Sequence, residues 1–158
     1  MPATSLPACR NADPELFFPD PDHTDHTVRV KSAKSVCSAC PVSSACLGMA
    51  ILGEETEGIW GGYTTLERRA LLRDTHRLGL DVTFAVRQLE GGKRYRVRAE
   101  NLLPVVHQLS SRGWTVDKLS IALDLTPQAV VKVRQRALAA VACLVAINSA
   151  AAHLGIAA

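Results

Sequence analysis

Five cysteines punctuate the chain, and four of them, Cys9, Cys37, Cys40 and Cys46, fall in its first third. Cys37-Ser38-Ala39-Cys40 brings two sulfurs close enough to hold one metal atom or two adjacent ones. Cys46 follows within two helical turns, and Cys9 must fold back across the chain to join them. Four thiolates suit a zinc ion and an iron–sulfur cluster equally well. The positive end of a helix opened by Pro41 favours an anionic site of either kind. A Cys-x-x-Cys pair can also exchange disulfides, although no βαβ pattern surrounds Cys37 and Cys40. Cys143 stands apart in an Ala-rich apolar stretch and is expected to be a small buried side chain.

The elements that must position these thiols are helical in pattern. Residues 2–25 are broken by prolines, Asp and Asn and allow one short helical turn at most. A helix is expected after His26, through Ser35. Pro41 is placed at the first position of the next, where Val42, Ala45, Cys46, Met49 and Leu52 recur at helical spacing before Gly53 stops it. Gly58-Ile59-Trp60-Gly61-Gly62 reads as a turn that needs glycine at positive φ and leaves an indole on a tight loop. Thr65 is expected to cap the helix through Leu66 and Leu72, which His76 and Gly79 close. Val82, Phe84 and Val86, then Tyr95 and Val97, alternate around Glu90-Gly91-Gly92 and predict a β-hairpin. Helices are expected from Leu102 toward Gly113, from Thr115 to Leu123, and from Thr126-Pro127 onward, with Thr115 and Thr126 as caps.

Composition bounds the answer. The 158 residues are 47% hydrophobic and 21% charged, which excludes disorder throughout, and only 4% aromatic, which favours Ala-, Val- and Leu-rich helices. The net charge of +3 conceals a split: residues 1–62 sum to −4 and residues 63–158 to +7. Two modules with different partners follow from that asymmetry. Met1–Arg10 has no basic region followed by an apolar run, so a reducing, cytoplasmic location with free thiols is expected. The apolar run Ala137–Ile147 is shorter than the roughly 20 residues of a membrane span and reads as a continuation of the last helix that could pair with another subunit.

Cys9 followed by Asp13-Pro14-Glu15-Leu16-Phe17-Phe18-Pro19, then Cys37-x-x-Cys40-Pro41-Val42 with Cys46, Gly58-Ile59-Trp60-Gly61-Gly62 and Glu67-Arg68-Arg69, resembles the WhiB-like family of actinobacteria and their phages. The likeness covers roughly the first 75 residues. It implies a transcription factor with a 4Fe-4S cluster on Cys9, Cys37, Cys40 and Cys46, responsive to oxygen or nitric oxide and bound to region 4 of the primary sigma factor. It also implies a sigma-facing surface made by Phe17, Phe18, Ile59, Trp60, Gly61 and Gly62. A zinc-stabilised interaction module and an apo-form thiol-disulfide oxidoreductase are the alternatives.

The basic half carries a second set of candidates. Thr115 to Arg134 is similar to bacterial helix-turn-helix motifs, with Leu119, Ala122, Leu123, Val130 and Val133 facing a core and Asp124-Leu125 as the turn. Ser120 and Asp124 depart from the small Ala and the Gly usual there, and Asp enters the left-handed region more readily than most residues. Gln128, Ala129, Lys132, Arg134, Gln135 and Arg136 would then face double-stranded DNA. A helical hairpin packed for stability is the plain alternative. Lys93, Arg94, Arg96 and Arg98 form a basic strip suited to phosphates, with Tyr95 and Val97 on the opposite face. The expected architecture is mainly α: a cluster domain over 1–75, a basic linker or hairpin over 76–98, a helix-turn-helix-like module over 99–148 and a tail over 149–158. A non-enzymatic regulator is expected.

Overall fold

The computed structural model describes residues 6–156 and is mainly α, as expected. Among the described residues seven α-helices follow in order: α1 (His26–Ser38), α2 (Ser43–Leu52), α3 (Thr65–Leu78), α4 (Thr83–Glu90), α5 (Leu102–Ser111), α6 (Val116–Leu123) and α7 (Pro127–His153). Short 3-10 turns occupy Ala8–Asn11, Pro14–Phe17 and Ala99–Asn101. The chain divides after Ala70 and again after Ala142 into two compact units, so the last part of α7 belongs with the N-terminal residues. The helix α7 runs unbroken past residue 148, where a tail was expected to begin. No single helix among the described residues is long and apolar enough to cross a membrane.

In the first unit, α1 continues past Ser35 and carries Cys37 in its last turn. The helix expected to open at Pro41 opens at Ser43 instead, because residues 40–43 close as a turn through the Ser43 N–H on the Cys40 carbonyl at 3.2 Å. The cap of α3 is Thr64 rather than Thr65. Its hydroxyl accepts the Glu67 N–H at 3.3 Å while the Glu67 carboxylate accepts the Thr64 N–H at 2.9 Å, a reciprocal capping box. Ala33, Leu47, Ala50 and Ile59 are buried, as are Cys143, Ala146 and Ala150 on α7. The helices α2 and α7 meet at Gly48, where an added Cβ would lie 2.3 Å from the Ala146 carbonyl oxygen and 2.9 Å from the Ala150 methyl.

The second unit corrects the expected hairpin. Residues 83–90 form α4, and no strand is present among the described residues. Val82, Ala85, Val86 and Leu89 are buried at i, i+3, i+4 and i+7, a helical period that overrides the apparent alternation, and Phe84 points outward. The Asp81 carboxylate accepts the Thr83 N–H at 2.9 Å at the start of this helix. Residues 93–98 follow without a partner strand, yet Tyr95 and Val97 still pack against the core while Lys93, Arg94, Arg96 and Arg98 are exposed. That core joins α4, α5, α6 and the first half of α7 around Val105, Val106, Leu109, Leu119 and Val130, all essentially inaccessible. Thr115 caps α6 and Thr126 caps α7, their hydroxyls accepting the Lys118 and Ala129 N–H groups, both at 3.2 Å. Asp124 takes the left-handed conformation at φ 54 and ψ 49.

Replacing Gly48 by Val should force α2 and α7 apart and destabilise the protein by about 1–3 kcal/mol, the usual cost of overpacking, measured by chemical denaturation.

Candidate four-cysteine and basic-groove sites

The chain brings the four N-terminal cysteines to one place by separate local devices. Cys9 lies on the Ala8–Asn11 turn, Cys37 in the last turn of α1, Cys40 in the turn that follows, and Cys46 in the first half of α2. All four line a single cavity of about 260 Å3, together with Phe17, Phe18, Ile59, Trp60 and Gly61. The Ala8 N–H donates to the Cys40 sulfur at 3.4 Å, and backbone groups at Gly62 and Gly61 hydrogen-bond Cys37 and Cys46. Burial pushes the Cys37 and Cys46 thiols above their ordinary value. The glycine hydrogen bonds oppose that shift, and the neighbouring cysteines add to it. Among the described residues no three Cys, His, Asp or Glu side chains converge as ligands of a single ion.

The wall of the cavity is a tight turn. Trp60 and Tyr63 exchange backbone hydrogen bonds at 3.1 and 3.0 Å, and Gly61 and Gly62 between them have φ of 56 and 85. Two successive positive φ values are the requirement of a type I′ turn, which glycine meets at no steric cost. Gly61 is required for a second reason: a Cβ there would lie 2.5 Å from the Ser43 carbonyl oxygen and 2.8 Å from the Leu47 Cβ. The Ile59 N–H donates to the Phe17 carbonyl at 2.8 Å, tying the turn to the N-terminal segment. Phe18 meets Trp60 edge-on with ring centroids 6.5 Å apart, and the Trp60 indole N–H donates to the Glu57 carbonyl at 3.0 Å. Ile59 is buried, whereas Phe17 and Trp60 are half-buried and Phe18 is exposed. The six residues expected on a partner surface therefore adjoin one another, Ile59 being the one that anchors rather than presents.

Sequence reasoning passed over Arg68 except as part of a motif. It is 3% exposed, and its guanidinium donates to the carbonyls of Gly58, Tyr63, Glu55 and Glu57 at 2.8–3.0 Å and to the Thr65 hydroxyl at 3.2 Å. The available signal was its place three residues before Leu71, on the buried side of α3.

In the second unit, residues 94–99 and 121–125 enclose an open groove of about 1310 Å3 beside the turn that leads into α7. Gln128, Lys132 and Gln135 are exposed on α7, while Ala129 and Arg134 are half-buried. Arg136, expected to face DNA, is engaged in a two-pronged ion pair with the buried Asp74 at 2.9 and 2.6 Å. Its geometry is that of a structural tether, because a carboxylate 6% exposed needs a fixed cation beside it. Lys118 lies 4.0 Å above the Trp114 ring, so that cation too is held at the core edge.

Fold and site together describe a helical four-cysteine module and a second, separate helical unit. A family model described as "Transcription factor WhiB" matches residues 4–71. Transcriptional regulator WhiB1 of Mycobacterium tuberculosis H37Rv is 44% identical over 69 residues, which cover 82% of that protein and 44% of this chain. WhiB1 of Bifidobacterium longum is 44% identical over 70 residues, covering 76% of its length and 44% of this chain. WhiB of Streptomyces coelicolor is 44% identical over 63 residues, covering 67% of its length and 40% of this chain. The chain belongs to the WhiB family of transcriptional regulators. The family model ends at residue 71, before the second unit.

Gly61→Ala should destabilise the first unit by about 2 kcal/mol or more, since it combines backbone strain with overpacking, and a lowered denaturation midpoint would register it.

Proposed function

We propose that this protein is a 4Fe-4S transcriptional regulator that binds region 4 of the primary sigma factor through its first unit and promoter DNA through its second. The observation that carries the reading is the shared cavity, in which four cysteines and the Phe17–Trp60 surface line the same space. The donor set fits such a group: the four sulfurs are soft ligands, and backbone N–H groups face three of them. When bound, the cluster would supply iron reactive toward oxygen or nitric oxide. Cys9, Cys37, Cys40 and Cys46 would hold it, and Phe18 and Trp60 would limit solvent access from one side. Because the turn is tied to Phe17 and lies against α2, a change in how the cysteines are held would reach the exposed Phe18 ring through few intervening contacts. Phe17, Phe18 and Trp60, with the Gly61-Gly62 turn, present an aromatic patch of the sort that anchors a protein partner. The first unit's acidic balance makes a protein a better partner for it than DNA.

The second unit supplies the DNA contacts. Lys93, Arg94, Arg96 and Arg98 would follow phosphates across the groove from α7, whose exposed Gln128 and Lys132 would reach base edges, with Arg134 beside them. Arg136 is assigned to holding Asp74 rather than to DNA.

Anaerobically prepared protein should contain about four irons per chain and no stoichiometric zinc, and each of the four Cys→Ala changes should abolish iron retention while Cys143→Ala does not. Stoichiometric zinc without iron would overturn the cluster, and disulfide turnover dependent on Cys37 and Cys40 would favour an oxidoreductase. Trp60→Ala should abolish binding to purified region 4 while the visible spectrum persists. Replacing Lys93, Arg94, Arg96 and Arg98 by Ala should reduce the slope of log affinity for duplex DNA against log salt by about 3–4, and an unchanged slope would remove these residues from the DNA surface.

A further inference from the structure

The loop from Glu55 to Tyr63 is poorly able to hold its own shape. Three of its glycines, Gly58, Gly61 and Gly62, have positive φ, as does Glu54 just before it. Each such position costs ordering entropy or strain that the flanking structure must offset. The loop's internal ties are the Trp60–Tyr63 pair and the Trp60 indole on Glu57. Arg68 adds four more from α3, with one guanidinium nitrogen on Gly58 and Tyr63 and the other on Glu55 and Glu57, beside the Ile59 N–H on the Phe17 carbonyl and the Thr65 hydroxyl on the Thr56 carbonyl. A planar fork is suited to this task, because its two terminal nitrogens reach carbonyls spread along the loop at once, where an ammonium is a single point.

Arg68 is also a cation buried among neutral acceptors. Every hydrogen bond described for its guanidinium ends on a carbonyl or a hydroxyl, and none on a carboxylate. Such a charge is costly unless an anion lies nearby; burial opposes it, while the Glu55 carboxylate favours it most and the Cys46 sulfur next.

We propose that Arg68 is the positioning residue of the four-cysteine site: it holds the Glu55–Tyr63 loop so that the Gly61 and Gly62 backbones meet the Cys46 and Cys37 sulfurs, and its buried charge offsets the anionic thiolates. This inference rests on the reading that the four cysteines hold a metal–sulfur group. It assigns to a residue outside the cavity both the shape of the partner-facing turn and part of the site's electrostatic balance. The two roles separate experimentally, because Lys keeps the charge and loses the fork, whereas Met loses both.

The test uses full-length wild type, Arg68→Lys and Arg68→Met, reconstituted anaerobically with iron and sulfide. Its readouts are the rate of iron loss to a ferrous chelator, the reduction potential, and amide hydrogen exchange over residues 59–63. Both variants should lose iron about tenfold faster or more, the usual scale for removing a residue that orients metal ligands. Exchange at Gly61 and Gly62 should rise in both, while the potential falls in Arg68→Met and returns toward wild type in Arg68→Lys. A purely structural role would move the two variants' potentials alike. Iron loss within twofold of wild type in both variants overturns the proposal. If circular dichroism shows either variant unfolded, Arg68→Gln, a neutral variant that keeps two amide donors on the same side of α3, decides: faster iron loss supports the role and loss within twofold of wild type overturns it. If wild type takes up no iron, the metal reading itself falls, and unchanged exchange over 59–63 in the apo Arg68 variants overturns the positioning role.

Discussion

A side chain at Gly61 would run into the Ser43 carbonyl oxygen at 2.5 Å, so the Trp60–Tyr63 turn rests on α2 with backbone against backbone. The rest of the first unit follows from that approach. It brings Gly61 and Gly62 to Cys46 and Cys37, makes the turn a wall of the cavity, and leaves the Trp60 ring against Phe18. A second close approach, at Gly48, brings the end of α7 onto the same helix from another side. The helix α2 thus carries one of the four thiols while two of its neighbours approach too closely for a side chain to intervene. Small changes at either glycine therefore reach the cysteines through rigid, close-packed contacts rather than through flexible side chains.

The second unit is organised on different terms. Its core is largely aliphatic and continuous from α4 to α7, and its polar restraints are Thr115 and Thr126 as helix caps, Asp124 in the left-handed conformation between α6 and α7, and Asp74 with Arg136 along the helices. Of these, only Asp124 lies at the groove between residues 94–99 and 121–125. The cations that remain exposed, Lys93, Arg94, Arg96 and Arg98, stand on a segment pinned by Tyr95 and Val97. A basic strip anchored in this way loses less conformational entropy on meeting phosphates than a free tail.

Some of this was legible from residues alone. The cysteine spacing, the Gly-Ile-Trp-Gly-Gly turn, both threonine caps and the left-handed Asp124 are local, since each depends on a few neighbouring residues and on backbone sterics that any tertiary setting must respect. The alternation of Tyr95 and Val97 against Arg94, Arg96 and Arg98 also held, although the paired strand did not. Residues 82–90 misled because Val82, Phe84 and Val86 alternate over too few positions to distinguish a strand from a helix. Leu89 completes a helical stripe that only the presence of a core on one side makes decisive. The start of α2 and the cap of α3 shifted by one or two residues for the same kind of reason, competing local hydrogen bonds of similar strength.

What could not be read along the chain was pairing at long range. That Arg136 serves Asp74 sixty-two positions away, that Arg68 spends its charge on four loop carbonyls, and that α7 ends against Gly48 are facts of three-dimensional proximity. A sequence lists which side chains carry charge, sulfur or no side chain at all, and local sterics turn that list into helices, caps and turns. Which cation meets which acceptor, and which glycine admits which backbone, depends on burial and on distances that arise only when separate elements pack. The chemistry available to this protein was therefore written in its cysteines and glycines, and its allocation among structural and exposed roles was decided by the fold.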